Sequence, residues 1–423
     1  MIIKIVMLFG LMFLLMIIGA PIAVSLGVAT MATMYFTTNI GMTSMATACF
    51  SGLDSFPLMA IPFFILAGNL MKSGGISRRI LDFADALVGF VTGATGMVTV
   101  VASMFFAALS GSSPATVTSI GSITIPRMKE EGYDPAYATA LTAAAGTIGV
   151  IIPPSIPFVI YGVAAQTSIS DLFLAGIIPG IMIGLVLMGV NYYKSKKHNY
   201  GVEQQFNAKV LWDSFRTSIW ALLVPVIILG GIYGGIFTPT ESAVAAIVYS
   251  LIIGVFVYKE LDAKSIYEAL RETVLVNGQT TFLVGISMSF ARFLTMSQVP
   301  STVARSILDI SNPIMILLVI NLFLLVVGCF IDNISSCVIL TPILLPIVKG
   351  IGMSPVQFGI VMTVNLAIGF ITPPYGCNLF FASAIADVPV TKIAAKIMPM
   401  IGVMVLVLMA LTFIPALSIG ILK

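Results

Sequence analysis

Apolar runs of about 20 residues, separated by short polar stretches, dominate the hydropathy pattern of this 423-residue chain. A helix needs a run of about that length to cross the hydrocarbon core of a bilayer. The pattern predicts membrane spans near 2–18, 20–38, 55–71, 172–193, 217–237, 240–258, 275–297 and 395–420. Segment 73–90 differs, because its apolar residues share one helical face and its charges the other. It is predicted to be an arm helix at the membrane interface, with a second interfacial piece near 300–311.

Two further apolar segments are interrupted at their centres by small polar residues. The sequence SGSSPAT at 110–116 divides segment 91–127, and DNISS at 332–336 divides a segment of about 312–348. Each flank is too short to span a membrane comfortably. We therefore predict two re-entrant hairpins, each entering the bilayer and returning to the same side.

Paired prolines break two more apolar helices, at 135–165 and 354–386. Proline lacks a backbone N–H and clashes with the carbonyl four residues before it, so a continuous helix cannot pass through. The motif recurs 220 positions later, since Gly149, Ile151, Pro153 and Pro154 match Gly369, Ile371, Pro373 and Pro374. Matching Ser113 with Ser336 also places hairpin tip and break at similar spacings in both halves. The chain is predicted to hold two repeats, 1–194 and 217–423, joined by a polar linker at 195–216.

Composition supports an all-α, multi-pass membrane protein, because 59% of the residues are hydrophobic and only 9% are charged. The net charge of +3 comes from loop lysines and arginines, so nucleic acid is not an expected partner. The same basic loops place the linker in the cytoplasm. The two hairpins then enter from opposite sides, and the repeats are inverted, which is a device for alternating access.

Asp332 is the acidic residue that the pattern places deepest in the membrane, at the tip of the second hairpin beside Asn333. A carboxylate there is costly unless it is paired or hydrated, which favours contact with substrate or ion. The alternative is a structural helix cap. Helix N-termini at the tips favour an anion. Carbonyl oxygens freed at the breaks suit sodium, and the candidates are Gly149, Ile152, Pro154, Gly369, Thr372 and Pro374.

Other polar residues have structural explanations. Glu241 follows Thr238 and Pro239 in a pattern typical of a helix cap. Arg292, within a predicted span, is expected to snorkel or to pair with a neighbouring subunit, and His198 lies in the polar linker. An intramembrane enzyme would need a nucleophile, a base or a set of metal ligands that face each other within the membrane. The sequence shows no intramembrane histidine, no paired intramembrane acids and no Ser–Lys arrangement, so an enzyme is not expected.

Taken together, SGSSPAT, GVIIPPS, FTPTES, DNISS and GFITPPYG resemble the large membrane subunit of tripartite ATP-independent periplasmic (TRAP) transporters, over essentially the whole chain. The resemblance implies an elevator-type fold like that of ion transporters, located in the bacterial inner membrane and coupled to sodium. It also implies two partners: a separate four-helix small membrane subunit, and a soluble periplasmic protein that delivers an organic acid. It implies one sodium site at Ser110, Gly149, Ile152 and Pro154 and a second at Gly328, Gly369, Thr372 and Pro374. The implied substrate region holds Ser112, Ser155 and Asp332, to which we add Asn333. The motifs are most like those of sialic acid transporters, although C4-dicarboxylate members share most of them.

A second class remains open at this point. A stand-alone symporter for divalent anions and sodium shares the plan of hairpins and broken helices but needs no binding protein. Uptake by this chain alone would distinguish it.

Overall fold

The computed structural model describes residues 2–38, 41–201, 205–299 and 312–422. Within these ranges every regular element is helical, and eight helices are long and apolar enough to cross a membrane. The all-α, multi-pass membrane fold that the sequence predicts is therefore confirmed.

The described residues of the first half form ten α-helices. They are α1 (Ile2–Ile17), α2 (Ile22–Thr37), α3 (Thr43–Leu53), α4 (Ala60–Ser73), α5 (Ile76–Val88), α6 (Ala94–Ser110), α7 (Ser113–Glu130), α8 (Pro135–Gly146), α9 (Ile156–Ala165) and α10 (Ile169–His198). Helices α6 and α7 form the first hairpin, and α8 and α9 form the first broken helix. Between α8 and α9, a 3₁₀ turn at Thr147–Val150 leads into the paired prolines.

The second half repeats the plan. It contains α11 (Ala208–Tyr233), α12 (Pro239–Ile252), α13 (Ala263–Met296), α14 (Pro313–Phe330), α15 (Asn333–Gly350), α16 (Pro355–Gly369), α17 (Cys377–Ala386), α18 (Val390–Phe413) and α19 (Ala416–Ile419). Helices α14 and α15 form the second hairpin, and α16 and α17 form the second broken helix. Proline at the first position of a helix, where its missing N–H costs nothing, starts several of these elements.

Helix bounds in the two halves recur at an offset of 220 residues. Helices α7 and α15 begin at Ser113 and Asn333, and α8 and α16 begin at Pro135 and Pro355. The Pro153–Pro154 and Pro373–Pro374 peptide bonds are both cis. The tip register differs from the predicted one, because Ser113 corresponds to Asn333 rather than to Ser336. Matching serines by type misplaced the tips by three residues, whereas the helix starts fix the true correspondence.

The hairpins and broken helices pack crosswise between the halves. Helix α7 of the first hairpin lies along α17 of the second broken helix, and α15 of the second hairpin lies along α9 of the first. Each repeat therefore buries its own break partly against the other repeat.

The arm helix α5 bridges two parts of the molecule. Its Arg79 Nη1 lies 2.7 Å from Glu260 Oε1, and the Arg79 guanidinium stacks 3.6 Å above the ring of Tyr258. On the next turns its Asp85 accepts a 2.9 Å ion-pair contact from Arg127 at the base of the first hairpin. The amphipathic pattern thus predicts the helix correctly, and its charged face supplies the connections.

Three helices extend beyond the spans that hydropathy predicts. Helix α10 continues to His198 and α11 begins at Ala208, so both ends of the predicted linker at 195–216 are helical. Helix α13 begins at Ala263 rather than near 275, and α3 was not predicted. Hydropathy marks where a helix lies in hydrocarbon, whereas a helix continues into water wherever its backbone remains hydrogen-bonded. The predicted interfacial piece at 300–311 lies outside the described residues.

Candidate functional site

The tip of the first hairpin packs directly on the first break. Ser110 Oγ lies 3.1 Å from Thr116 Oγ1, and Thr116 Oγ1 donates to the carbonyl of Ser112 at 2.8 Å. Gly149 is in contact with both, since an added Cβ there would lie 2.3 Å from Thr116 Oγ1 and 2.6 Å from Ser112 O. The structure therefore brings Ser110 and Gly149 to one place, as the first predicted sodium site requires.

The break also joins this tip through its own backbone. Ile156 N, the first amide of α9, donates to the carbonyl of Gly111 at 3.3 Å. An added Cβ at Gly111, where φ is +60°, would lie 2.7 Å from Pro154 O. Ile152 and Pro154 are buried, and among the described residues no hydrogen bond reaches either carbonyl oxygen. Buried carbonyls without a donor are suited to a cation, so these residues fit sodium chemically.

The second predicted sodium site has a similar close approach of two backbones. An added Cβ at Gly369 of α16 would lie only 2.4 Å from the carbonyl carbon of Gly328 in α14. Gly376 N donates to the carbonyl of Cys329 at 3.3 Å, which joins the second hairpin to its own break. Thr372 Oγ1 donates to Ile368 O at 2.8 Å, and Pro374 is exposed, so this break is more open than the first.

Asp332 is the N-cap of α15. Its Oδ2 accepts from Ile334 N at 3.0 Å and from Ser335 N at 3.1 Å, and its Oδ1 accepts from Ser335 Oγ. The cap interpretation of this residue is therefore confirmed, and contact with substrate stays a prediction. Ser155 has a similar position on α9, since its buried hydroxyl donates to Val150 O at 2.6 Å and accepts from Phe158 N at 3.4 Å.

Ser112 and Asn333 have side chains that the fold does not use. Ser112 occupies the N-cap position of α7 without a side-chain cap bond and is half-buried. Asn333 is only 2% exposed, and in the described part of the chain neither polar atom of its amide has a hydrogen-bond partner. Of the four predicted substrate residues, these two retain free polar groups.

Sequence reasoning missed Thr116 and Asn378. Thr116 joins Ser110 to Gly149, as described above, and Asn378 Nδ2 donates to Ser113 Oγ at 2.7 Å. Thr116 had a signal, because it occupies the position 220 before Ser336 in the corrected register. Asn378 had none, since its partner lies 265 positions away in the sequence.

Helix starts therefore meet around the two tips. The start of α9 bonds to the first tip through Ile156, the start of α17 bonds to it through Asn378, and Gly376 joins α17 to the second hairpin. Free amide groups at helix starts carry partial positive charge and favour anions. Asp332 and Ser155 already cap α15 and α9, whereas α7 has no side-chain cap. The region therefore offers carbonyl oxygens to a cation and the start of α7 to an anion.

Residues 9–417 match the family model described as "Tripartite ATP-independent periplasmic transporter, DctM component". The chain belongs to this family. It is a TRAP large permease subunit, a multi-pass inner-membrane protein, and the relatives named below are transporter permeases rather than enzymes.

Several named relatives are similar over nearly the whole of this TRAP subunit. A protein of Oleidesulfovibrio alaskensis named isethionate TRAP transporter permease protein DctMQ is 47% identical over 97% of this chain, which spans 65% of that relative. The C4-dicarboxylate TRAP transporter large permease protein DctM of Pseudomonas aeruginosa is 41% identical, with 94% and 93% of the two chains covered. The sialic acid TRAP transporter large permease protein SiaM of Vibrio cholerae is 38% identical, with 95% and 94% covered.

Two solved membrane transporters share the fold. Neisseria gonorrhoeae MtrF superposes with a TM-score of 0.62 at 13% identity, covering 95% of this chain and 94% of its own. Alcanivorax borkumensis YdaH gives 0.60 at 15% identity, covering 89% of each chain. At such low identity the likeness concerns architecture alone.

A cavity of about 1230 Å³ lies elsewhere in this TRAP subunit, between α3, the α9–α10 loop, and the ends of α12 and α13. It is rich in serine and threonine and includes Arg292, but none of the predicted site residues lines it. Arg292 is exposed and forms no ion pair among the described residues. Glu241, beside the cavity, forms the predicted capping box with Thr238.

Proposed function

We propose that this TRAP large subunit carries out sodium-coupled uptake of a small organic acid. The observation that carries the proposal is the contact between the first hairpin tip and the first break. There Ser110, Thr116 and Gly149 meet beside the unpaired carbonyls of Ile152 and Pro154. A transporter that couples a cation to an anion needs both kinds of ligand in one moving unit, and this region offers them together.

Sodium binds at two sites in this proposal. Hard cations prefer oxygen ligands, which both breaks supply from backbone carbonyls and hydroxyls. The first site comprises Ser110, Gly149, Ile152 and Pro154, and the second comprises Gly328, Gly369, Thr372 and Pro374. Two sites predict that uptake rises with sodium concentration with a Hill coefficient above one.

The substrate carries a negative charge and binds near the hairpin tips. Ser112 and the unpaired amide of Asn333 are the side chains available to orient it. Relatives of this chain are named for isethionate, C4-dicarboxylate and sialic acid, all of them organic acids. N-Acetylneuraminate, the substrate favoured from the sequence motifs, is one member of the panel to be tested.

Transport follows an elevator mechanism in which both hairpins and both broken helices move against the remaining helices. The two-sided attachment of α5 supports this division, because Arg79 holds one end to Glu260 and Asp85 holds the other to the first hairpin. Inverted orientation of the repeats, expected from the basic loops, supplies the alternating access.

Membership of a tripartite family implies a small membrane subunit and a periplasmic binding protein. We propose that the small subunit is a separate four-helix chain that enlarges the fixed part, and that the soluble protein delivers the acid. The stand-alone symporter is the alternative.

The test is uptake in proteoliposomes that contain this subunit and its small partner. Radiolabelled isethionate, a C4-dicarboxylate and N-acetylneuraminate are each offered with the binding protein, with an inward sodium gradient or with potassium in its place. We expect uptake of one acid that requires both sodium and the binding protein. Undiminished uptake without sodium would refute the coupling, and equal uptake without the binding protein would favour the stand-alone symporter.

Ser110→Ala tests the first sodium site, and Ser103→Ala is its matched control. Ser103 lies two turns earlier on α6, is equally buried, and has no hydroxyl partner among the described residues. We expect Ser110→Ala to raise the sodium concentration for half-maximal uptake several-fold, because a cation loses one ligand. Ser103→Ala should leave it unchanged. Equal effects of the two substitutions would contradict the assignment.

A further inference from the structure

Asn378, the second residue of α17, touches three parts of the proposed transport machinery at once. Its Nδ2 donates to Ser113 Oγ at the first hairpin tip at 2.7 Å and to Ala143 O in the first broken helix at 3.2 Å. Its backbone N donates to Phe370 O in the second break at 3.0 Å. The residue is fully buried. A single residue therefore connects the second break, through its backbone, to the first hairpin tip and the first broken helix, through its side chain.

The orientation of the Asn378 amide is fixed by chemistry. A backbone carbonyl such as Ala143 O can only accept, so the atom facing it must be the nitrogen. Oδ1 then has no partner among the described residues. A buried polar atom without a partner is costly. The fold accepts this cost at Oδ1 and keeps both hydrogen bonds of Nδ2.

The equivalent crossing in the other direction lacks this contact. Helix α15 lies along α9 as α7 lies along α17, but Phe158 stands where Asn378 stands, and Asn333 stands where Ser113 stands. Phenylalanine cannot donate a hydrogen bond, and the Asn333 amide remains unpaired in the described part of the chain. The repeat alone would not produce the Asn378–Ser113 bond, which is a property of one crossing.

The same crossing is also fixed at its other end. Lys129 Nζ, near the end of α7, donates to the carbonyl of Ala386, the last residue of α17. With Asn378 at the start and Lys129 at the end, α17 is attached to α7 along its length. Helix α17 therefore links the second break to the tip of the first hairpin through a short series of hydrogen bonds.

We propose that Asn378 is a positioning residue that couples the two sodium sites, an inference that rests on the proposed sodium-coupled function. Sodium at the second break orders the segment that holds Phe370, and the backbone bond of Asn378 transmits this order to α17. The amide then fixes Ser113, next to Ser112, whose carbonyl accepts the hydroxyl of Thr116 beside Ser110. Each bound cation thus preorganises the other site, and cooperativity follows.

The test is the sodium dependence of uptake for Asn378→Leu, which keeps the size of the side chain and removes its hydrogen bonds. Gln357→Leu is the matched control, because that buried amide also donates to two backbone carbonyls, those of Leu411 and Thr412, at the opposite end of α16. Thermal unfolding of each purified variant verifies that it is folded. We expect the Hill coefficient of Asn378→Leu to fall towards one and its half-saturating sodium concentration to rise several-fold. Gln357→Leu should keep wild-type cooperativity.

Substitutions at Ser113 test the same bond from its other side. Ser113→Ala should reproduce the loss of cooperativity, Ser113→Thr should retain cooperativity because it keeps the hydroxyl, and Ser113→Ala should add nothing to Asn378→Leu. A folded Asn378→Leu with an unchanged Hill coefficient would overturn the coupling while leaving the proposed function intact. Wild-type uptake that ignores sodium would overturn both, so the two failures are distinguishable.

Discussion

Gly369→Ala is the substitution whose consequence follows most directly from the structure. Gly369 in α16 faces Gly328 in α14, and an added Cβ would lie 2.4 Å from the Gly328 carbonyl carbon, 2.5 Å from its Cα and 2.7 Å from its oxygen. All three are backbone atoms, so no rotamer change can relieve the clash. The two helices must move apart by about 1 Å to restore an ordinary contact of 3.4 Å.

The expected loss of stability is large for a single methyl group. Overpacking a well-packed interior costs about 1–3 kcal/mol, and a clash between two backbones belongs at the upper end, near about 3 kcal/mol. Gly328→Ala should cost less, because its added Cβ would lie 3.1 Å from the nearest atom. Gly402→Ala in α18 is the control, since nothing lies within 4 Å of the added atom. Alanine there should be neutral or stabilise by up to about 1 kcal/mol through its better helix propensity.

Thermal unfolding of the purified variants, together with sodium-driven uptake, measures both consequences. We expect the lowest melting temperature for Gly369→Ala, a higher one for Gly328→Ala and a higher one again for wild type. Gly402→Ala should melt at or above the wild-type temperature. Uptake by Gly369→Ala should need several-fold more sodium, because the shift displaces the proposed ligands of the second site. A Gly369→Ala protein as stable as wild type would refute the packing argument. A destabilised variant with normal sodium dependence would refute the placement of the second site.

Three further outcomes are expected. Asp332→Asn should change the free energy of unfolding by at most about 1 kcal/mol, since asparagine also caps helices. Its uptake should nevertheless fall, because the negative charge is lost; near-normal uptake would make the residue a cap alone. Lys197→Cys should resist a membrane-impermeant thiol reagent in intact cells, in a background where the partly accessible Cys49 and Cys377 are both serine. Labelling from outside would reverse the topology. Asp85→Ala removes a half-exposed ion pair with Arg127 and should lower the free energy of unfolding by at most about 1 kcal/mol. A much larger loss in thermal unfolding would mean that Asp85 stabilises the fold through more than this ion pair.

Local chemistry made the hairpins and breaks predictable. The prolines at 153–154 forbid a continuous helix whatever surrounds them, and the break occurs between Gly146 and Ile156 as that rule requires. The polar interruption likewise holds a turn, at Gly111 and Ser112 between α6 and α7.

The missing parts depend on partners that are distant in the sequence. The contact of Asn378 with Ser113 arises from the crossing of α17 and α7, and no local pattern announces it. Helix α3 was missed because its serines, threonines and small residues give no strong apolar period. The register of the tips was missed because Asp332 replaces Ser112 in the repeat, so the helix starts matched in position but not in residue type.

Repetition of the backbone and divergence of the side chains together explain how one plan yields two different halves. The breaks recur because the prolines recur, and each lies beside a hairpin. The side chains then differ: Ser112 leaves its helix start uncapped, whereas Asp332 caps the equivalent helix with a negative charge. The first break is buried, and the second exposes Pro374. A cation bound at the second break, as proposed, would be covered by less protein and should exchange faster, whereas one at the first would lie behind the tip of the first hairpin. Asn378, which connects the second break to that tip, lies where such a sequence of release would be controlled.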